Sequence, residues 1–155
     1  MPYRTDEIAE DVVGQAIGAG YRHIDTAAGY QNEGGVGRAV KASGTPREDL
    51  FITTKPANGD QGSDAAKDAL ETSLDTLEME HVDLYLIHWA SPQRGTHLES
   101  WKALIELQEQ GKAKSIGVSN FAAADLELTG EEIEKINGLD SADGRIGPDP
   151  ADPGF

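Results

Sequence analysis

The stretch GYRHIDTAAGYQNE, residues 20–33, decides the fold because it passes from a strand through a loop into a helix. Gly20 is suited to end a preceding helix, and residues 21–25 form a short strand candidate. Residues 33–42 predict a helix, with Asn32 placed to cap its amino end. The stretch therefore predicts one βα unit with a polar loop, including Tyr30, after its strand.

The same alternation of helix and strand continues on both sides of this stretch. Apolar and β-branched segments predict buried strands at residues 50–54, 82–87 and 113–118. Helical spacing predicts helices at residues 6–19, 65–77 and 98–110. The expected inward-facing side chains of these helices are Ile8, Val12, Ala16, Ile17, Leu70, Leu74, Leu77, Trp101, Leu104, Ile105 and Gln108. This order predicts βα units with a parallel sheet, and the apolar strands predict burial on both sheet faces.

Four polar side chains follow or close the first three predicted strands: Asp25, Tyr30, Lys55 and His88. The carboxyl ends of parallel strands share one edge of the sheet, where βα proteins place their chemistry. Each residue alone has an ordinary structural explanation, such as a turn cap, a solvated strand end or a hydrogen-bonded core histidine. As a set, they predict a common site.

The four residue types together suit the reduction of a carbonyl group. Hydride addition to a carbonyl requires a proton at its oxygen, and Tyr30 can supply one. A nearby ammonium stabilises the phenolate that remains, a role that fits Lys55 held by Asp25. A hydrogen bond from His88 would orient the carbonyl oxygen and stabilise its developing charge.

Several motifs together closely resemble the aldo-keto reductase family. They are residues 20–33, ITTK at 52–55, DLYLIHW at 83–89 and IGVSNF at 116–121. The resemblance implies a TIM-type barrel in which Tyr30 is the general acid, Lys55 and Asp25 assist it, and His88 orients the carbonyl. It also implies Thr26, Ser119 and Asn120 as cofactor-binding residues, with NADPH as cofactor and NADH as a possible alternative. His23, His81 and His97 match no catalytic position of the family.

The chain is short for this family, since a complete barrel takes about 250 residues. Residues 128–155 resemble the family's C-terminal helix and tail, joined almost directly to the motif at 116–121. We therefore expect a truncated, partial barrel of about four parallel βα units, lacking strands six to eight and most of strand one. The expected domains are residues 1–121, the partial barrel, and 122–155, a C-terminal helix and tail packing on it. The loss of cofactor residues predicts weakened binding.

An open set of four strands would expose two sheet edges and an inner face. The first hypothesis is a homodimer in which two chains meet around a two-fold axis and approximate an eight-stranded barrel. The alternatives are a tail that folds over the open face, or a marginal and partly ordered chain.

The composition narrows the classes of partner. Asp and Glu number 28 against 13 Lys and Arg, for a net charge of −15, which disfavours nucleic acid and anionic membranes. No apolar run approaches the roughly 20 residues of a membrane span, and no secretory leader is evident. The absence of cysteine excludes disulfides and thiolate metal sites, and no metal site is predicted. The acidity favours a halophilic protein whose fold loosens without salt, over a surface that is merely solubilising.

The sequence therefore predicts a cytoplasmic oxidoreductase, an NAD(P)H-dependent reductase of small-molecule carbonyl substrates (aldehydes or ketones). The alternative is a non-catalytic, truncated remnant that acts as a folding or oligomerisation module. The retained catalytic set favours the first hypothesis, and the missing cofactor residues favour the second.

Overall fold

The computed structural model describes residues 5–90 and 94–121. The chain divides into two compact units, Met1–Asn120 and Phe121–Phe155, and the helices and strands described lie in the first. The helix and tail predicted beyond residue 121 lie outside the described residues. The expected division into residues 1–121 and 122–155 therefore stays a prediction.

Four strands form one parallel sheet, in which the strand order follows the order of the sequence. They are β1 (His23–Asp25), β2 (Phe51–Thr54), β3 (Val82–Ile87) and β4 (Ala113–Val118). All three neighbouring pairs are parallel. This arrangement confirms the predicted α/β class and the four strands, although β1 begins two residues later than expected.

Four helices accompany the strands: α1 (Asp6–Gly18), α2 (Glu33–Ala42), α3 (Ser63–Leu77) and α4 (His97–Glu109). Helix α1 precedes β1, and each of the others lies between two successive strands, as in repeated βα units. Within the described residues, no helix is long and apolar enough to span a bilayer.

The core lies between the helices and one face of the sheet, called here the outer face. Ile52, Tyr85 and Ile87 of the sheet are at most 1% exposed, as are Leu70 of α3 and Leu104 of α4. Each aliphatic side chain buried in this way contributes about 1.5–3 kcal/mol to the stability of the fold. The outer face and the helix layer thus carry the hydrophobic stabilisation of this unit.

The opposite, inner face of the sheet is partly exposed. His23, Asp25, Phe51 and Ser115 on this face are exposed, and the His23 and Phe51 rings meet edge to face at 4.9 Å. The prediction of burial on both faces therefore holds only in part on the inner face, where Thr53, Val82 and Ala113 are at most 1% exposed. An exposed sheet face of this kind is a candidate surface for binding a partner or ligand.

Two helices present a different stripe to the core from the one predicted. In α4 the buried stripe is Ser100, Ala103, Leu104 and Leu107, whereas Trp101 is 36% and Ile105 is 39% exposed. The true stripe is the predicted one displaced by one residue. Both stripes obey the 3.6-residue period, so periodicity alone does not separate them.

Helix α1 agrees with the prediction at Ile17 but departs from it at Ile8 and Val12. Ile8 and Val12 are 39% and 45% exposed, while Ala9 and Ile17 are buried. Near its start α1 approaches α2 closely. A Cβ at Gly35 would collide with the Asp6 carbonyl, so α2 needs a glycine at this point.

Helix α2 is also held closely on its other side. A Cβ at Gly37 would collide with the Leu77 carbonyl at the end of α3. The glycine-rich sequence at residues 34–37 therefore serves helix packing, which outweighs the low helix propensity of glycine.

A buried carboxylate ties together the amino ends of three strands. Asp83 of β3 is 4% exposed and accepts hydrogen bonds from the Ile52 backbone N–H and Lys114 Nζ, both at 2.9 Å. Its other ion pair joins it to Arg47 Nη2 at 2.7 Å. Burial alone would raise the pKa of Asp83, but the hydrogen bonds from Ile52, Lys114 and Arg47 together lower it below 3.8.

We expect Asp83→Asn to lower the free energy of unfolding by about 3 kcal/mol at neutral pH, because two cations lose their shared counter-charge. Urea unfolding followed by tryptophan fluorescence measures this loss. Glu10→Gln is the matched control: it removes an exposed partner of Arg38 and should change the unfolding midpoint little. Equal effects of the two substitutions would contradict the assignment.

Wild type and Asp83→Asn should also differ in how their free energies of unfolding depend on pH. A folded-state pKa below 3.8 means that the stabilisation by Asp83 is complete above that value and is lost as the pH falls through the folded pKa. The stability gap between wild type and Asp83→Asn should therefore be constant above about pH 5 and narrow between about pH 4 and about pH 2. A gap that stays constant over this range would count against a depressed pKa.

Candidate active site

The loop after β1 continues onto the end of β2 and carries Tyr30. The Thr26 N–H donates to the Thr53 carbonyl at 2.9 Å, and the Ala28 N–H donates to the Lys55 carbonyl at 3.0 Å. A short 3-10 turn over Ala28–Tyr30 follows. Tyr30 is 41% exposed, so its ring is open to solvent while its backbone is anchored.

Lys55 lies immediately after β2 and is 4% exposed. Its ammonium donates to Asp25 Oδ1 and, at 3.0 Å, to the Thr26 carbonyl. The Asp25 side chain is 56% exposed, so the ion pair is buried on the lysine side and wet on the aspartate side. Lys55 Nζ lies 5.6 Å from the centroid of the Tyr30 ring, within the range of a cation–π contact.

His88 completes the group from the end of β3. Its ring lies edge to face with that of Tyr30, with centroids 5.7 Å apart and an interplanar angle of 80°. Burial and then the positive charge of Lys55 lower the pKa of His88, while Asp25 and a hydrogen bond to the Pro56 carbonyl act in the opposite direction. The lowered pKa favours the neutral imidazole, which has one N–H donor and one acceptor nitrogen.

The end of β4 reaches the same edge. The Ser119 N–H donates to the Ile87 carbonyl at 2.8 Å, which continues the β3–β4 ladder. Asn120 follows with a φ of 58°, in the left-handed region that asparagine tolerates. Its amide nitrogen donates to the His88 carbonyl at 2.8 Å and to Ser119 Oγ at 3.0 Å. The Asn120 side-chain oxygen is thus left for a ligand.

Thr26 is placed differently from the other predicted cofactor residues. It is 2% exposed, and its hydroxyl donates to Asn32 Oδ1 at 3.1 Å. Asn32 occupies the N-cap position of α2, but its side chain makes no capping hydrogen bond, so the predicted capping role was wrong. The Asn32 side chain accepts from Thr26 within the loop instead. The cofactor role of Thr26 stays a prediction.

Two buried polar residues beside the site were missed in the sequence. Glu33 is 6% exposed and accepts from Thr54 Oγ1 at 2.5 Å and from Ser73 Oγ at 3.0 Å. Burial raises the pKa of Glu33, although both hydrogen bonds act against the rise. Gln61 is 7% exposed, and its amide donates to the Trp89 carbonyl at 2.8 Å.

The residues present fit one end of a nicotinamide cofactor. Ser119 and Asn120 offer polar side-chain atoms beside Tyr30 and His88. The described cations at this edge are engaged elsewhere: Lys55 with Asp25, and Arg94 with the Asn58 carbonyl at 2.9 Å. Lys55 is thus taken up by its counter-charge, whereas Arg94 keeps its positive charge and further N–H donors.

The described residues offer no stronger candidate for an active site than the group at the carboxyl edge. A cleft of about 640 Å³ lies against α2 and α3, but its lining includes Asp6, Asp60 and Asp68 and none of the four converging residues. Its acidic lining disfavours phosphate-bearing ligands. Within residues 5–90 and 94–121, no group of three or more potential ligands could hold a metal ion.

Parallel βα units that gather a tyrosine, a buried lysine, an aspartate and a histidine at their carboxyl edge define a barrel-type site suited to carbonyl chemistry. The sequence model of the Aldo/keto reductase family matches residues 3–138. The chain belongs to the aldo/keto reductase family.

Known relatives agree in sequence and in fold. An aldo-keto reductase of Mycolicibacterium vanbaalenii is 52% identical over 123 residues, which are 79% of this chain and 44% of that protein. The crystal structure of an aldo/keto reductase from Brucella melitensis has a TM-score of 0.78 at 48% identity and covers 88% of this chain and 52% of its own. An aldo-keto reductase of Bombyx mori in complex with NADP has a TM-score of 0.71 at 39% identity, covering 87% and 45%. The chain thus spans about half the length of the relatives it matches.

We expect the pKa of His88 to lie below 6.5, and Lys55→Met to raise it, because that substitution removes a neighbouring positive charge. NMR titration of the imidazole signals measures both values, with His88→Gln used for assignment. Lys112→Met removes a cation paired with the distant Glu71 and serves as the control that should leave His88 unchanged. A wild-type midpoint at or above 6.5 would refute the expected direction.

Proposed function

We propose that this protein is an NAD(P)H-dependent carbonyl reductase that acts on small aldehydes or ketones. The observation that carries the proposal is the convergence of Tyr30, Lys55 and His88. The Tyr30 ring lies 5.6 Å from the Lys55 ammonium and 5.7 Å from the His88 ring. Membership of the aldo/keto reductase family supports the same reaction class.

Each of the four residues has a distinct task in this proposal. Tyr30 donates the proton to the carbonyl oxygen, and its exposure leaves it accessible to a substrate. Lys55, held by Asp25, stabilises the negative charge left on the phenol oxygen. His88 orients the carbonyl oxygen by donating a hydrogen bond to it. Because a neutral imidazole has a single N–H, this role requires the tautomer with the proton on the nitrogen that faces the open edge, and the hydrogen bond to the Pro56 carbonyl is then given up.

The cofactor, when bound, supplies the hydride. We assign its nicotinamide end to Ser119 and Asn120, with Thr26 as a further predicted binding residue. NADPH is the proposed cofactor, supported by the NADP complex of the Bombyx mori relative, and NADH remains an alternative. Weakened binding is part of the proposal, because the chain spans about half the length of its relatives and Lys55 is engaged by Asp25.

A homodimer is proposed as the partner that covers the inner face. Phe51 is 40% exposed on that face, and Trp89, which directly follows the site histidine, is 48% exposed. The same exposed surface favours the second candidate function, a non-catalytic folding or oligomerisation module. The two candidates differ in whether the site turns over substrate.

Halophilic adaptation and a cytoplasmic location also stay proposals. The net charge of −15 supports the first, because salt screens self-repulsion among excess acids. Ion pairs that link neighbouring helices, such as Lys41–Glu78 at 2.5 Å, oppose part of that repulsion.

We expect Tyr30→Phe to reduce NADPH-dependent turnover at least about a hundredfold, because it removes the proton donor. The assay follows NADPH absorbance with a panel of aldehydes and ketones. Tyr21→Phe is the matched control, since Tyr21 is 66% exposed and lies outside the group. Activity that survives Tyr30→Phe would contradict the assigned acid, and a wild type without turnover would favour the non-catalytic module.

We expect light scattering in molar salt to give the mass of two chains, and Phe51→Asp to give the mass of one, because a carboxylate would be placed in the covered face. Val12→Asp is the control, since Val12 is 45% exposed on α1. Titration with NADPH, followed through Trp89 and Trp101 fluorescence, should saturate at millimolar cofactor or below. A monomeric wild type would refute the dimer, and an absence of binding would refute the reductase.

A further inference from the structure

Glu33 has an environment that its place in the sequence does not explain. It occupies the first turn of α2, where acidic residues usually lie at the surface facing solvent. Here its side chain is buried, and its two carboxylate oxygens are divided between two different elements. One oxygen accepts from Thr54 Oγ1 at 2.5 Å, and the other accepts from Ser73 Oγ at 3.0 Å.

The Thr54 contact connects the two halves of the candidate site. Glu33 lies three residues after Tyr30, at the point where the Tyr30 loop enters α2. Thr54 is the last residue of β2 and directly precedes Lys55. A single side-chain hydrogen bond therefore joins the segment carrying the proposed acid to the strand carrying its ammonium partner.

The other hydrogen bonds between the Tyr30 loop and β2 do not by themselves fix the separation of Tyr30 from Lys55. The Ala28 N–H to Lys55 carbonyl bond anchors the start of the 3-10 turn, and Lys55 Nζ reaches back to the Thr26 carbonyl. Both links lie before Tyr30 in the loop. The Glu33–Thr54 bond is a link to β2 that lies after Tyr30, so the loop is held on both sides of the ring.

We propose that Glu33 is a positioning residue that sets the separation of Tyr30 from Lys55. This inference rests on the proposed reductase function for its kinetic consequence, but not for its structural one. The Glu33–Thr54 bond acts on the site, whereas the Glu33–Ser73 bond fastens α2 to α3. If Glu33 were purely structural, loss of either bond would affect the Tyr30 site equally. If Glu33 positions Tyr30, loss of the Thr54 bond should affect the site more than loss of the Ser73 bond.

Three variants separate these roles. Thr54→Val removes the hydroxyl at nearly constant shape and breaks only the bond toward the site. Ser73→Ala is its matched control and breaks only the bond to α3. Glu33→Ala breaks both, and Glu33→Gln should restore the geometry, because an amide can accept from one hydroxyl and donate to the other.

The test reads the Tyr30 ring itself by fluorine NMR of protein labelled with 3-fluorotyrosine. The four tyrosines give four resonances, and Tyr30→Phe identifies the relevant one. The expected result is a shifted or broadened Tyr30 resonance in Glu33→Ala and Thr54→Val, with the wild-type position kept in Ser73→Ala and recovered in Glu33→Gln. If Glu33→Ala does not fold, the Thr54→Val and Ser73→Ala pair decides.

A Tyr30 resonance unmoved by Thr54→Val would overturn the proposal, and so would equal shifts in Thr54→Val and Ser73→Ala. Where the wild type reduces a carbonyl substrate, Thr54→Val should lower kcat by about ten- to a hundredfold with KM little changed, since misplacement affects the transition state. Ser73→Ala should leave kcat within about threefold of wild type. A wild type without turnover would refute the reductase function alone, and the fluorine spectra would still decide the role of Glu33.

Discussion

The buried ammonium of Lys55 governs how the carboxyl edge of the sheet is arranged. An ammonium removed from water costs several kcal/mol unless charged and polar partners surround it. The partners here are the Asp25 carboxylate at the end of β1 and the Thr26 carbonyl one residue later. Because both lie where β1 ends and the loop begins, satisfying the lysine also fixes where the Tyr30 loop starts. The Tyr30 ring and the His88 ring then lie in the field of one localised positive charge.

Local sequence signals predicted the elements well and their orientation less well. The bounds of α2, β3 and β4 match the sequence prediction, because β-branched runs and glycine punctuation act locally. The predicted inward face of α4 was wrong by one residue, and that of α1 was wrong at Ile8 and Val12 but right at Ile17. In α4 the larger Trp101 and Ile105 suggested the core, but the smaller Ala103 meets its neighbours instead. Which of two adjacent stripes is buried depends on the partner helix, and the sequence of a single helix does not contain that information.

The residues of the candidate site also fall into those that the sequence predicted and those that it did not. The four converging residues were predictable because each lies at or shortly after the end of a strand, and parallel strands end at one edge. Glu33 and Gln61 were not, because their roles depend on residues far away in the sequence. The Glu33 carboxylate gains its role from Ser73, 40 positions away, and Gln61 gains its role from the Trp89 carbonyl, 28 positions away. A signal was present in the glycines after Glu33, which indicate that α2 packs too closely for an exposed first turn.

The sheet has the strand order β1-β2-β3-β4, so every strand pairs with the one made just before it. A chain with this topology can add each βα unit to a finished edge while the remainder is still being synthesised on the ribosome. The order of synthesis is then also the order in which the polar groups meet. Lys55 finds Asp25 once the second unit is complete, His88 joins with the third, and Asn120 closes onto the His88 carbonyl last. In this order of pairing, none of the four strands has to wait for a later strand before it can pair with the strand that precedes it.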